Sequence, residues 1–199
     1  MTDRTAKSVQ TRQRFVDVAL QLIKERGYEQ TSMAQIASAA GSSRANLYLY
    51  FKSKPQIIMA RMQEIEPLIA SLYDRLDQMS SHSCEAMKAW LDEARDMWIR
   101  YSTEFEAINR AMATDPEVLD EWLGLGRRIS SRQTALYRDC RNQEERLDRE
   151  VHMTTLMMSL ERNFYFLYIR GHREREDRVL ASLACQWAQL FGPFTDERG

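Results

Sequence analysis

Apolar residues in the first quarter of the chain recur with the period of a helix. Phe15, Val18, Ala19, Leu22 and Ile23 fall at i, i+3, i+4, i+7 and i+8, one stripe of a helix predicted over residues 8–26 and stopped at Gly27. Met33, Ile36, Ala37 and Ala40 give the apolar side of a second helix. It starts at Ser32, where Ser32 and Gln35 make the S-x-x-Q pattern of a capping box, and ends at Gly41. A third short helix follows, capped by Ser43. Leu47 and Phe51 share one of its faces; Ala45, Tyr48 and Leu49 point the other way, with Arg44 and Asn46 on the flanks. Ser53 and Gln56 repeat the capping pattern around Pro55, and a long helix runs toward Gln78. Pro67 lies inside it and predicts a bend, because it lacks a backbone donor.

The same reading predicts helices over 84–101, 103–113 and 115–142, the last weakened at Gly124 and Gly126. Two more follow over 144–170 and 174–191, stopped by Gly171 and by Gly192-Pro193, and residues 194–199 read as a frayed tail. From Met153 to Ile169 the pattern is apolar almost all round, so that helix must be covered on every side. Only 7 glycines and 4 prolines interrupt 199 residues dominated by good helix formers, and no alternating strand pattern occurs. The predicted class is all-α.

Candidate chemistry narrows the picture mainly by exclusion. The three cysteines, Cys84, Cys140 and Cys185, are far apart and have no metal-ligand spacing; they read as free, mostly buried thiols in a reducing cytoplasm. The three histidines are scattered, and no nucleophile elbow or glycine-rich phosphate loop is present. No catalytic residue, metal or cofactor is expected. The chain starts without the apolar stretch of a signal peptide and has no run of 18 apolar residues, so a cytoplasmic protein with no membrane partner is expected. Charge is uneven. Residues 1–54 carry nine basic side chains against four acidic ones, while the whole chain has a net charge of -1. A basic end on an acidic body suits a polyanion partner, although a solvated basic face would look the same.

Two short helices joined by Gly41-Ser42-Ser43 and braced by a longer first helix make a helix-turn-helix. Such a unit offers its second short helix to a DNA major groove. Arg44, Ala45 and Asn46 suit guanine, a thymine methyl and adenine respectively. The Tyr48 and Tyr50 hydroxyls and Lys54 are placed for phosphates. The stretch "TSMAQIASAAGSSRANLYLYFKSK" resembles the signature of the TetR family of bacterial transcriptional regulators: Thr31, Ile36, Ala37, Ala40, Gly41, Ser43, Leu47, Tyr48, Tyr50, Phe51, Ser53 and Lys54 all match. Ser42 stands where the family usually has valine, and a serine packs less well in the turn. Together the motif and the resemblance nominate Thr31, Ser32, Ser43, Arg44, Ala45, Asn46, Tyr48, Leu49, Tyr50 and Lys54 as DNA-binding residues.

The resemblance covers residues 8–57 and implies the rest. It divides the chain into a DNA-binding domain at 1–54 and a helical ligand-binding and dimerisation domain at 55–199. It implies a palindromic double-stranded DNA operator, a homodimer and a small-molecule effector. The large side chains of the second domain read first as core. The resemblance implies that some of them line an apolar cavity, with Trp90, Met97, Trp98, Tyr101, Phe105, Asn109, Trp122, Tyr137, Asn163 and Phe164 as candidates. It also implies that the last two long helices pack against their copies, for which Met158, Tyr165, Leu183, Trp187 and Leu190 are candidates. The function so implied is a one-component regulator, a repressor released from its operator by a small, largely apolar ligand. A DNA-bound scaffold on the same fold, without an inducer, is the alternative.

Overall fold

The computed structural model describes residues 2–192. Among them the secondary structure is helical, with no strand. The chain forms two compact units. One holds the chain up to Glu66 together with Thr103–Leu123; the other holds Pro67–Ser102 and the chain from Gly124 onward. These units are divided by packing, and the division by role at residue 54 is a separate proposal.

The first unit starts with α1 (Thr2–Arg26), which begins earlier than its apolar stripe, and continues with α2 (Met33–Ala39) and α3 (Arg44–Tyr50). It also includes the first half of α4 (Lys54–Asp77) and nearly all of α6 (Ser102–Met112). Phe15, Val16, Ile36, Leu47, Ile57 and Ile58 have essentially no exposed surface and form its centre. Both predicted caps are present. Gln35 N–H donates to the Ser32 hydroxyl at 3.3 Å while Ser32 N–H donates to the Gln35 side chain at 2.8 Å. Asn46 N–H donates to the Ser43 hydroxyl at 3.1 Å. Gly41 takes a φ of +62°, in the left-handed region that a side chain strains to adopt. At the start of α4 the expected reciprocal box is shifted. Gln56 N–H donates to Ser53 at 3.4 Å, but the Gln56 side chain accepts from Lys52 N–H, at 2.7 Å. Pro67 lies within an uninterrupted α4, at the first residue of the second unit.

The second unit contains the rest of α4, α5 (Cys84–Arg100), the end of α7 (Pro116–Ser131), the short α8 (Thr134–Tyr137), α9 (Gln143–Phe164) and α10 (Glu176–Leu190). One helix is predicted over 115–142; the structure breaks it after Ser131. The cause is a long-range cap. The Asp77 carboxylate accepts from Ala135 N–H at 2.6 Å and from the Thr134 hydroxyl at 2.7 Å, which starts a new helix there. A second departure follows α9. Residues Tyr165–Ile169 form a π-turn, with Arg170 N–H donating to the Tyr165 carbonyl at 3.0 Å. The neighbours Leu167 and Tyr168 in that turn are both buried. Gly171, at φ +77°, ends the segment as predicted. Pro193 and the tail at 194–199 lie outside the described residues.

The expectation of buried free thiols fails for two cysteines. Cys84 and Cys185 are exposed and form a disulfide, because α5 and α10 pack side by side. Cys140 is a half-buried free thiol.

Candidate nucleic-acid interface

The short α3 is held to its unit by residues at its far end. Leu47 is fully buried, and the Phe51 ring lies under the Arg12 guanidinium of α1 at 5.1 Å. Tyr50 places its ring 5.7 Å from Phe15, and its hydroxyl accepts from Ser8 at 3.5 Å. These contacts spend one face of α3 on packing and leave the other to solvent. Ser43, Arg44 and Ala45 are exposed, and Leu49 is 77% exposed, a large cost for an aliphatic side chain with no covering partner. Asn46, Tyr48 and Tyr50 are half-buried at its margin. The surface so presented carries a guanidinium, an amide, phenols and apolar tips within seven residues. That mixture can read base edges and touch phosphates.

Two nominated residues have other roles. Thr31 is only 2% exposed and donates its hydroxyl to the Gly27 carbonyl at 2.9 Å. Lys54 turns its ammonium inward, where it donates to the carbonyls of Tyr28 at 2.5 Å and Thr31 at 3.1 Å and lies 3.8 Å from the centre of the Tyr28 ring. Burial lowers the Lys54 pKa, opposed by the negative charges of Asp115 and Glu29. Both side chains therefore brace the turn between α1 and α2. The carbonyls at the end of α1 and in that turn need donors, and these residues supply them. Ser32 is exposed, but its hydroxyl and N–H are engaged by Gln35.

Sequence reasoning also missed contacts that hold the reading head. Ser42 accepts from the Asn46 side-chain amide at 2.8 Å, so the serine replaces packing with a hydrogen bond. The Tyr28 hydroxyl donates to the Asp115 carboxylate at 2.7 Å, which ties the turn after α1 to the start of α7. Burial first, and then this bond, push the Tyr28 pKa well above the ordinary phenol range. Arg61 bridges Glu64 at 2.9 Å and Glu104 at 2.5 Å, linking α4 to α6, while Gln13 of α1 donates to Glu64 at 3.1 Å. Asp115-Pro116 announces a helix start in the sequence, but nothing local in it names Tyr28 as a partner.

The candidates for an effector cavity are not gathered in one unit. Phe105, Asn109 and Trp122 belong to the first; Trp90, Met97, Trp98, Tyr101, Tyr137, Asn163 and Phe164 belong to the second. Several are packed on other rings. Trp90 lies 5.5 Å from Tyr73 and 5.0 Å from Trp187, and its indole donates to the Leu72 carbonyl at 3.0 Å. Trp98 meets Phe164 at 5.9 Å, and Phe164 meets Tyr168 at 5.0 Å. Tyr137 shares a hydrogen bond of 2.9 Å with Ser130 under the Arg146 guanidinium. The Asn163 amide donates to the Ser159 carbonyl one turn back, at 2.8 Å, and the side chain borders a surface groove with Arg178 and Gln186. Met97, Tyr101, Asn109 and Trp122 are half-buried, and Phe105 is buried.

The dimer candidates also divide. Leu183, Trp187 and Leu190 are buried within their own unit, where α10 meets α5, so they have no surface left for a partner. Tyr165 is half-buried. Met158 is 48% exposed and belongs to a stripe on the outer face of α9 with Leu147 and Val151, continued by Phe166 in the π-turn. The all-round apolar segment therefore has one covered side and one open side.

Residues 15–60 match the family described as bacterial regulatory proteins, tetR family. The chain is similar to the fatty acid metabolism regulator protein of Bacillus subtilis, with 38% identity over 50 residues, 25% of this chain and 26% of that one. It is similar to the HTH-type transcriptional regulator AcrR of Shigella flexneri, with 41% identity over 58 residues, 29% and 27% of the two chains. The match thus spans about a quarter of the length of these relatives. The fold extends further. A TetR-family structure from Syntrophomonas wolfei superposes with a TM-score of 0.66 at 15% identity, covering 96% of this chain and 100% of that one. Thermus thermophilus FadR, solved in complex with lauroyl-CoA, gives 0.59 at 18% identity over 94% and 99%. Residues 15–60 thus belong to the TetR family of bacterial regulatory proteins, a matching helix-turn-helix at one end of a chain that has the fold of these solved structures along its length.

Proposed function

We propose that the protein regulates transcription by binding a double-stranded DNA operator through the outer face of α3. The observation that carries this reading is the sidedness of that helix. Leu47 and Phe51 are buried while Arg44, Ala45 and Leu49 stand free. Arg44 and Asn46 read base edges; Tyr48 and Tyr50 reach phosphates. The protein acts as a homodimer on a palindromic site, and the open stripe Leu147, Val151, Met158 and Phe166 supports a second copy as the partner that covers it. Two heads then meet successive major grooves, about 34 Å apart. The protein is cytoplasmic, where its operator is.

Release by a small, largely apolar effector is the second part of the proposal. Its support is the concentration of aromatic and methionine side chains in the second unit, and a fold neighbour that holds lauroyl-CoA. Because Trp90 and Phe164 are closely packed on other rings, an effector entering beside them has to part those rings. The conformer with parted rings would be the one that leaves the operator, which makes the ligand a selector between two states.

The experiment is selection of binding sites from randomised duplexes, followed by titration of the enriched site at several salt concentrations. An inverted repeat with half-sites one helical turn apart is expected, with affinity falling steeply as salt rises. No enriched sequence, or an enriched site bound equally well by Arg44→Ala, would overturn the DNA reading. For the effector, melting temperature is measured against acyl-CoA thioesters of graded chain length. A rise that depends on chain length supports an apolar effector, and an unchanged melting point across the series rejects this ligand class.

A further inference from the structure

Outside the DNA-reading head the chain carries a pair of sulfurs to which none of the preceding roles applies. Cys84 is the first residue of α5 and Cys185 lies in the second half of α10; 101 residues separate them, yet their Cα atoms are 4.6 Å apart. That distance is within the range a disulfide spans without backbone movement. Both residues are exposed, so a small oxidant or reductant reaches them without unfolding anything.

The two helices do not depend on the sulfur bond to stay together. Beneath it, Trp90 of α5 packs on Trp187 of α10 at 5.0 Å, and Met87, Leu91 and Ala184 are fully or almost fully buried. Beside it, the His82 ring stacks on Phe191 with centroids 4.0 Å apart and planes within 5°. His82 Nε2 also shares a hydrogen bond with the Leu76 carbonyl at 3.1 Å. The segment before α5 is thus clamped to the end of α10 by a ring contact that survives reduction. A reduced pair would stay in mutual reach, which is what reversible chemistry needs.

We propose that Cys84 and Cys185 are a reversible oxidation site, a dithiol that peroxide converts to a disulfide locking α5 onto α10. Cys84 takes the first attack, because the start of a helix favours a thiolate over a thiol. Its sulfur attacks one peroxide oxygen, the O–O bond breaks, and hydroxide leaves, giving a sulfenic acid. The Cys185 thiolate then attacks that sulfur, the S–S bond forms and a second hydroxide leaves. Two protons from the thiols convert both hydroxides to water, so the dithiol loses two electrons and the peroxide gains them. A low-potential dithiol reverses the reaction by exchange through a mixed disulfide. Cys140, half-buried and free, takes no part.

The test uses the full-length chain, hydrogen peroxide as oxidant and dithiothreitol as reductant. The reduced protein should be folded with three titratable thiols; peroxide should leave one, with a loss of two hydrogens in the intact mass and no covalent dimer. Closing so long a loop should raise the melting temperature by on the order of 10 °C, reversibly. Cys140→Ser should keep that response, and Cys84→Ser and Cys185→Ser should each abolish it. A reduced wild-type chain that is unfolded would make the bond structural and overturn the switch. Three thiols remaining after peroxide, or sulfinic acid in place of the disulfide, would overturn the site. None of these readouts involves DNA, so the proposal stands or falls apart from the operator reading.

Discussion

The side-chain amide of Asn46 donates to the Ser42 hydroxyl at 2.8 Å, so the helix-turn-helix turn and the reading helix share a hydrogen bond that valine at position 42 could not make. The bond orients Asn46 and spends one of its amide donors. Asparagine grips adenine with a donor and an acceptor together. In this protein the second N–H and the carbonyl oxygen of Asn46 should therefore read in the one orientation that the Ser42 bond fixes. Ser42→Val should release the amide and change base preference at one position of each half-site. The expected change in discrimination is about 1–3 kcal/mol. Site selection on both proteins checks it; identical profiles would remove Asn46 from the reading surface.

Lys54 and Arg44 should separate cleanly by their effects. Lys54→Met leaves two carbonyls without their shared donor, at a cost of about 1–3 kcal/mol. The melting temperature should fall, while the salt dependence of DNA binding stays as in wild type. Arg44→Ala, at an exposed position, should leave the melting temperature unchanged and cost about 1–3 kcal/mol of operator affinity. Thermal melts and titrations on the same preparations decide; a Lys54→Met protein of wild-type stability would contradict the bracing role.

Three tyrosines predict loss of stability in alkali. Tyr28, Tyr73 and Tyr168 all have pKa values raised by burial first; Tyr28 and Tyr168 are raised further by their bonds to Asp115 and Glu176. A raised pKa means the folded state holds the proton more tightly than the unfolded one. The contribution is complete below the unfolded value near pH 10 and is lost as pH rises above it. Each such tyrosine should add up to about 1.4 kcal/mol of lost stability per pH unit between pH 10 and 12. Tyr73→Phe should make that decline shallower. Denaturant titrations at stepped pH, with phenolate absorbance as the probe of ionisation, measure it. A decline unchanged by Tyr73→Phe would show that Tyr73 does not hold its proton more tightly on folding.

The open face of α9 predicts how assembly fails. Val151→Glu with Met158→Glu places two charges in the exposed apolar stripe, where a partner would have to bury them. Sedimentation should show a folded monomer in place of the dimer. The buried Trp187 behaves differently: Trp187→Ala should cost about 3–5 kcal/mol of stability, a core effect, by removing the ring between Tyr73 and Trp90. A dimer that persists in the double-glutamate variant would place the interface elsewhere.

Local patterns in the sequence determined the all-α class, the capped helices α2 and α3 and the DNA-reading motif. Each of these depends on residues within about four positions of one another, such as Ser32 with Gln35 or Ser43 with Asn46. The features that local patterns do not carry are long-range. Asp77 cutting the predicted 115–142 helix, Lys54 folding back on Tyr28 and Thr31, and Cys185 meeting Cys84 all join residues 23 to 101 positions apart. Periodicity shows that α10 has an apolar face, but it is silent on whether that face meets its own unit or a second copy. Only packing decided that Leu183, Trp187 and Leu190 go inward and that Met158 stays outside. The physical reason is that the hydrophobic effect has no direction, so a stripe of apolar residues states the need for burial and leaves the partner to the tertiary fold.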